Sequence, residues 1–276
     1  LLVEFLFIIC KVLGYKSASN LGFFIGKNFG NFFRKKKSIV ENLHKSKIVI
    51  NISDNKFVNN ILGNYGRILA EYPFLKDFRK NKLEQFISID GAKNLDKIKS
   101  NKKPVVFISG HFNNFELMAM QIEKHGINLA AIYRPLNNIF LNKTMESIRT
   151  KYICRNQIRK GRSGTRQILE NLKKGNSIAL MIDQRVTEGI KIDFFGNLAS
   201  TTTIPAQIIK KYECDLVPIY IERLEKYNFK MYVSQPIAIN SEKSQEEISE
   251  HLNTILEKMI LKNPDQWIWT HNRWKK

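Results

Sequence analysis

His111 and Glu116 stand five residues apart in "VVFISGHFNNFELMAM" (Val105–Met120), the histidine just after an apolar, β-branched run and the glutamate where an apolar helix begins. Histidine titrates near neutral pH, and a neighbouring carboxylate fixes its tautomer and raises its basicity. On a regular helix five residues turn through about 500°, leaving the two side chains roughly 140° apart, so the pair meets only if His111 lies in the turn before the helix. Gly110 permits such a turn, and Asn113 or Asn114 supplies an N-cap. The competing reading is a helix start: Asn113 and Glu116 stand at capping-box spacing, with His111 a satisfied loop residue.

In open α/β sheets, ligands bind outside the carboxyl ends of the strands. His111 follows "VVFISG", Arg134 follows "LAAIY" and Asp183 follows "SIALMI", which puts all three on one edge of a parallel sheet. Arg134 can orient a phosphate or stabilise an oxyanion, or it is a surface arginine before a proline-marked turn. Asp183 opens the triplet Asp183-Gln184-Arg185; it either belongs to a site or caps the turn after its strand. Arg149 sits on a helix whose apolar positions include Ile139, Met145 and Ile148, which reads as a solvated face.

A histidine base supported by a carboxylate can take a proton from an alcohol that attacks a carbonyl carbon. No serine or cysteine is read at a comparable strand end, so direct attack by an acceptor hydroxyl is favoured over a covalent acyl-enzyme, and no metal is required. The run "RNQIRKGRSGTR" (Arg155–Arg166) either grips phosphate or forms a solvated loop; its glycines do not match a P-loop.

These residues need a scaffold to hold them. From residue 104 the pattern alternates strand, helix, strand: "PVVFIS", "FELMAMQIEKHG", "INLAAIYR", and onward to "SIALMI" and "LVPIYIERL". The alternation predicts an α/β fold with a mixed, largely parallel central sheet flanked by helices. Residues 38–90 read as helical, with Phe57, Ile61, Leu62, Tyr65, Ile68 and Leu69 at helical spacing; Gly63 and Gly66 in that run mark a close packing contact or a ligand groove. Ser244 and Glu247 predict a capped final helix that Pro264 stops. "QWIWTHNRW" is expected to brace the fold or to sit at a lipid interface.

At 276 residues and 43% hydrophobic, the chain can bury one substantial core. Its formal charge of +20 implies a polyanionic partner, whether nucleic acid, anionic bilayer, phosphorylated lipid or acidic protein. A nucleic-acid-binding domain is disfavoured, because no helix-turn-helix, finger or RNP-like aromatic pattern is present and the basic residues are dispersed. Cys10, Cys154 and Cys214 suggest neither a disulfide framework nor a zinc site. The opening "LLVEFLFIICKVL" is short of the ~20 residues a bilayer span needs and is interrupted by Glu4; since the chain begins with Leu, a span can lie upstream. "LGFFIGKNFGNFF" leads into Arg34-Lys35-Lys36-Lys37, the pattern of an interfacial segment on an anionic membrane or of core helices beside a solvated charge run. Residues 1–37 are therefore taken as a membrane-associating segment and 38–276 as the catalytic domain.

"GHFNNFE" resembles the H-x4-D/E motif of glycerolipid-type acyltransferases. With "IYRP", "MIDQ", the downstream "FFG" and "TTT", and the closing "PDQWIWTHNRW", the chain is similar throughout to the lipid A biosynthesis lauroyl/myristoyl acyltransferases. The resemblance implies a bacterial inner-membrane enzyme working at the cytoplasmic face. It would move a fatty acyl chain from acyl carrier protein to a hydroxyl of a phosphorylated lipid A precursor of the Kdo2-lipid IVA type, without a cofactor. By the same resemblance His111 and Glu116 are the catalytic dyad, and Arg149 and Asp183 match further functional positions. Arg134, Arg149, Asp183 and Gln184 are then the expected substrate-binding or oxyanion-stabilising residues. Other glycolipids or glycerophospholipids stay open as acceptors, as does, in a different class, a basic membrane- or nucleic-acid-binding protein without catalysis.

Overall fold

The computed structural model describes residues 2–32, 36–136 and 138–275. The first part is helical: α1 (Leu2–Leu13), α2 (Tyr15–Phe29), α3 (Lys36–Ser46), α4 (Asp54–Glu71) and α5 (Leu75–Arg79). α2 and α4 cross so closely that a Cβ on Gly66 would collide with the carbonyl oxygen of Gly22, and one on Gly26 with that of Leu62. Of the two glycines expected to mark a packing contact or a groove, Gly66 does both, since it also borders a cavity, whereas Gly63 marks a contact alone, its Cα packed against the Phe23 ring. Tyr15 and Ala18 of α2 are buried in the same core as the sheet.

Next come β1 (Ile87–Asp90), α6 (Ala92–Asn101), β2 (Val105–Ser109), α7 (Glu116–Lys124), β3 (Leu129–Tyr133), α8 (Ile139–Ile148), β4 (Asn156–Arg159), α9 (Arg162–Lys173) and β5 (Ser177–Met181). The chain continues through β6 (Ile190–Phe194), β7 (Asn197–Thr201), α10 (Ile204–Tyr212), β8 (Asp215–Arg223), β9 (Phe229–Val233) and α11 (Gln245–Lys262).

The central sheet has the order β1-β9-β8-β2-β5-β3-β4. From β8 to β4 the strands run parallel; β9 turns back antiparallel to β8, and β1 runs with β9. This is the mixed, largely parallel α/β sheet that the sequence predicts. All five residues of β2 are buried, as an uninterrupted apolar run between parallel neighbours requires. Gly126 and Gly175 end helical segments with φ of 83° and 79°, and Ser244 and Glu247 form a complete capping box on α11.

Three elements depart from the expectation. β1 lies in the stretch read as helical, β4 lies in the basic run, and β6 and β7 form a separate antiparallel hairpin. That hairpin turns on Phe195 and Gly196, both at positive φ, without the Asn-Gly that announces such a turn.

Among the described residues no helix is long and apolar enough to cross a membrane. α1 and α2 nevertheless expose Phe5, Ile8, Val12, Leu21, Phe24 and Phe29. Of the expected basic cluster, Arg34 and Lys35 lie outside the described residues, while Lys36 and Lys37 open α3.

Candidate functional site

β2, β5 and β3 are adjacent and parallel, so His111, Asp183 and Arg134 leave the sheet at one edge. His111 lies in a turn between β2 and α7. Asn113 in that turn takes a positive φ of 39°, and its backbone N–H donates to the Gln266 carbonyl at 3.1 Å. Neither asparagine caps α7: Asn113 Nδ2 donates to Gln266 Oε1, and Asn114 Nδ2 donates to Glu71 Oε2 at 3.3 Å. The helix starts at Glu116 without a side-chain cap, which removes the capping-box reading. The motif is instead clamped from both sides, by the carboxyl-terminal segment and by the end of α4.

The histidine's carboxylate partner is Asp183. Its Oδ1 accepts from His111 Nδ1 at 2.8 Å, and its Oδ2 from the His111 backbone N–H at 2.7 Å and from Trp267 Nε1 at 2.9 Å. Asp183 is fully buried. Burial alone would raise its pKa, but the charge of His111 and the hydrogen bonds from His111 and Trp267 outweigh burial and hold the carboxyl below the usual carboxylate range. An ionised carboxylate only accepts, so Nδ1 carries a hydrogen in either state of the ring, and in the neutral ring the free lone pair is on Nε2. Among the described residues Nε2 has no hydrogen-bond partner. An imidazole held in this way can accept a proton at Nε2.

Glu116 is engaged elsewhere. Its Oε1 accepts from Arg149 Nε at 2.8 Å and from Tyr72 Oη at 3.0 Å, and it pairs with Arg149 Nη2 at 2.7 Å. Among the described residues no hydrogen bond or ion pair joins it to His111. The carboxylate that contacts the His111 ring is Asp183, while Glu116, expected to orient it, is bonded to Arg149 and Tyr72. Arg149 also departs from its expected solvated face: it follows α8 four residues after Met145, on the same face, and is only partly exposed in its pair with Glu116. Burial lowers the basicity of Arg149, yet Glu116 and Tyr72 outweigh it and raise the guanidinium above its ordinary range.

Two cavities meet at this point. One, of about 330 Å³, is largely apolar and is walled by Ile25, Leu62, Ile68, Leu69 and Trp267. The other, of about 640 Å³, is mixed: Phe107, Ala179 and Ile219 line it together with Arg134, Arg149, Lys160 and Arg185. His111, Phe115, Ile268 and Thr270 border both. Gln184 borders the mixed cavity and is half-buried.

Ser109, the last residue of β2, also lines the mixed cavity, which corrects the expectation that no such residue stands at the strand end. Its hydroxyl points to the Gly110 carbonyl at 3.4 Å and Met118 Sδ at 3.5 Å, so no base activates it. His271 borders the same cavity. Its Nε2 accepts from the Arg185 backbone N–H at 2.9 Å, which fixes its hydrogen on Nδ1, and burial pushes its pKa down.

Tyr72, Trp267 and His271 were not singled out as site residues by sequence. Tyr72 sits in a helical stretch with no motif. Trp267 and His271 belong to "QWIWTHNRW", where three tryptophans at close spacing read first as packing. That brace exists, since Trp267, Trp269 and Trp274 are all buried, and it carries Trp267 into the site.

The sequence profile of the bacterial lipid A biosynthesis acyltransferases matches residues 1–276. The chain is 24% identical over 217 residues to the lipid A biosynthesis palmitoleoyltransferase of Escherichia coli (strain K12), covering 76% of this chain and 68% of that protein. The lipid A biosynthesis acyltransferase of Shigella flexneri gives the same values. A lipid A biosynthesis acyltransferase 2 of Shigella flexneri is 22% identical over 192 residues, 68% of this chain and 60% of that protein. The chain belongs to the bacterial lipid A biosynthesis acyltransferase family.

Proposed function

We propose that the protein transfers a fatty acyl chain from acyl carrier protein to a hydroxyl of a phosphorylated lipid A precursor by direct attack, with His111 as the general base. The observation that carries this reading is the junction of the two cavities at His111. A reaction that joins a hydrocarbon chain to a charged glycolipid needs an apolar space and a basic one on either side of the base.

Asp183 orients His111 and stabilises the imidazolium that forms when His111 Nε2 takes the acceptor proton. The resulting alkoxide attacks the thioester carbonyl. Arg149, held by Glu116, and the Gln184 amide are the donors available to the oxyanion. Collapse expels the carrier thiolate, to which His111 returns the proton.

Glu116 enters this mechanism through Arg149 and Tyr72. The apolar cleft is bordered by Ile25 and Leu69, which are 46% and 64% exposed and so lead from the cleft to the exposed apolar face of α1 and α2. That face, with a chain charge of +20, fits seating on an anionic bilayer, from which a lipid acceptor enters without crossing water. This is peripheral attachment at the inner membrane, on the side where acyl carrier protein is found.

The test is transfer of labelled acyl chains from acyl carrier protein to a tetra-acylated, diphosphorylated glucosamine disaccharide in mixed micelles. Transfer to that acceptor is expected. Transfer to a glycerophospholipid alone would reassign the acceptor, and transfer from coenzyme A thioesters alone would reassign the donor.

A further inference from the structure

We propose that Arg134, Lys160 and Arg185 form a phosphate-binding subsite on the wall of the mixed cavity. It rests on the acyl-transfer reading and names the residues that would grip a phosphate there. All three line the cavity that His111 borders. They arrive from three neighbouring strand ends, since β5, β3 and β4 are consecutive in the sheet.

Tyr133 and Arg159 are register partners, and the Lys160 N–H donates to the Tyr133 carbonyl at 2.9 Å. Arg134 and Lys160 therefore leave the sheet side by side. Arg185 is fixed from the other flank, its backbone N–H on His271 Nε2 at 2.9 Å and its Nε on the Lys275 carbonyl at 3.0 Å.

The local charge is uncompensated. Among the described residues Glu116 is the carboxylate that lines this cavity, and Arg149 takes it at 2.7 Å. Among the described residues Arg134, Lys160 and Arg185 have no ion pair. Glu146, on nearby α8, is engaged by the Tyr133 hydroxyl at 2.6 Å. Lys160 is exposed as a residue, yet the crowding of its ammonium by burial and then by Arg134 depresses its pKa.

Arg134 and Lys160, side by side at the sheet edge, are relieved when an anion binds between them, and Arg185 lines the same cavity. A single carboxylate would offset one of three charges. A phosphate monoester carries up to two charges and three acceptor oxygens, enough to take two guanidinium groups and an ammonium together. Two molecules could supply that phosphate: the acceptor, through its sugar phosphates, or the donor, through the phosphopantetheine of the carrier.

The experiment compares Arg134→Gln and Lys160→Gln with Lys97→Gln, an exposed position on α6 that lines neither cavity. Losing one charge-assisted contact is expected to raise KM for the phosphorylated acceptor by about tenfold, with kcat nearly kept and KM for the dephosphorylated acceptor unchanged. If instead KM rises for the acyl carrier protein, and not for an acyl N-acetylcysteamine thioester that lacks phosphate, the subsite holds the donor's phosphate. Equal effects on phosphorylated and phosphate-free substrates, or no effect on any, overturn the proposal.

Calorimetric titration with inorganic pyrophosphate gives a readout that needs no turnover: Lys160→Gln loses binding that the wild type and Lys97→Gln retain. Retained pyrophosphate binding in a protein without transfer activity would reject the acyl-transfer reading alone. An active enzyme indifferent to the substitutions would reject the subsite alone.

Discussion

Asp183 grips His111 twice, through the ring Nδ1 at 2.8 Å and through the backbone N–H at 2.7 Å, so one buried carboxylate sets both the tautomer and the position of the histidine. Asp183→Asn would present an amide where three N–H groups need acceptors. Turnover is expected to fall by about 10²–10⁴-fold with little change in KM, because the loss concerns proton transfer and not substrate contact. Steady-state kinetics of the purified variant, with circular dichroism to confirm folding, checks this.

The indole of Trp267 is the third donor to Asp183. Trp267→Phe removes that donor while keeping an aromatic ring. A hydrogen bond to a charged group is worth about 1.5–3 kcal/mol, so the carboxylate becomes a stronger base toward His111. The acid limb of the kcat pH profile should move to higher pH, a change that loosened packing alone would not produce.

Glu116 and Arg149 form a pair with side chains only 8% and 14% exposed. Removing one partner strands the other, which for a buried pair costs about 3–5 kcal/mol. Glu116→Gln and Arg149→Gln should each destabilise the fold, and the double variant should lose clearly less than the sum. Denaturant melts of the four proteins give the coupling energy; strict additivity would mean the pair does not act as a unit.

His271 has its pKa pushed below the ordinary 6.5, chiefly by burial. The unfolded chain then binds a proton that the folded chain resists, so stability is present above about pH 6.5 and is lost as pH falls below it. His271→Gln keeps an acceptor for the Arg185 N–H and removes the titration. The wild type should lose more melting temperature between pH 7.5 and about pH 5.5 than this variant does.

Much of this arrangement was legible in the sequence. The apolar runs ending at Gly110, Tyr133 and Ile182 announced strand ends on one edge of a parallel sheet, because buried parallel strands have a simple signature, and the structure makes those strands neighbours. Which carboxylate faces His111 was not legible. Spacing along the chain favoured Glu116, five residues away, whereas Asp183 is brought in by the pairing of β2 with β5. The inward face of Arg149 was not legible because its partners, Glu116 and Tyr72, lie 33 and 77 residues away along the chain and are brought in by tertiary packing. The hairpin of β6 and β7 was missed because Phe195 occupies a left-handed position that sequence patterns reserve for Asn or Gly.

The central claim is that His111 acts as the base for direct transfer. It is tested by a single-turnover experiment with labelled acyl carrier protein and acceptor, comparing the wild type with His111→Ala. The account predicts a rate lower by about 10²–10⁴-fold in a folded variant, with no labelled acyl-protein trapped in either case. Near-normal transfer by His111→Ala, or a covalent acyl-enzyme on Ser109 in the wild type, would contradict it.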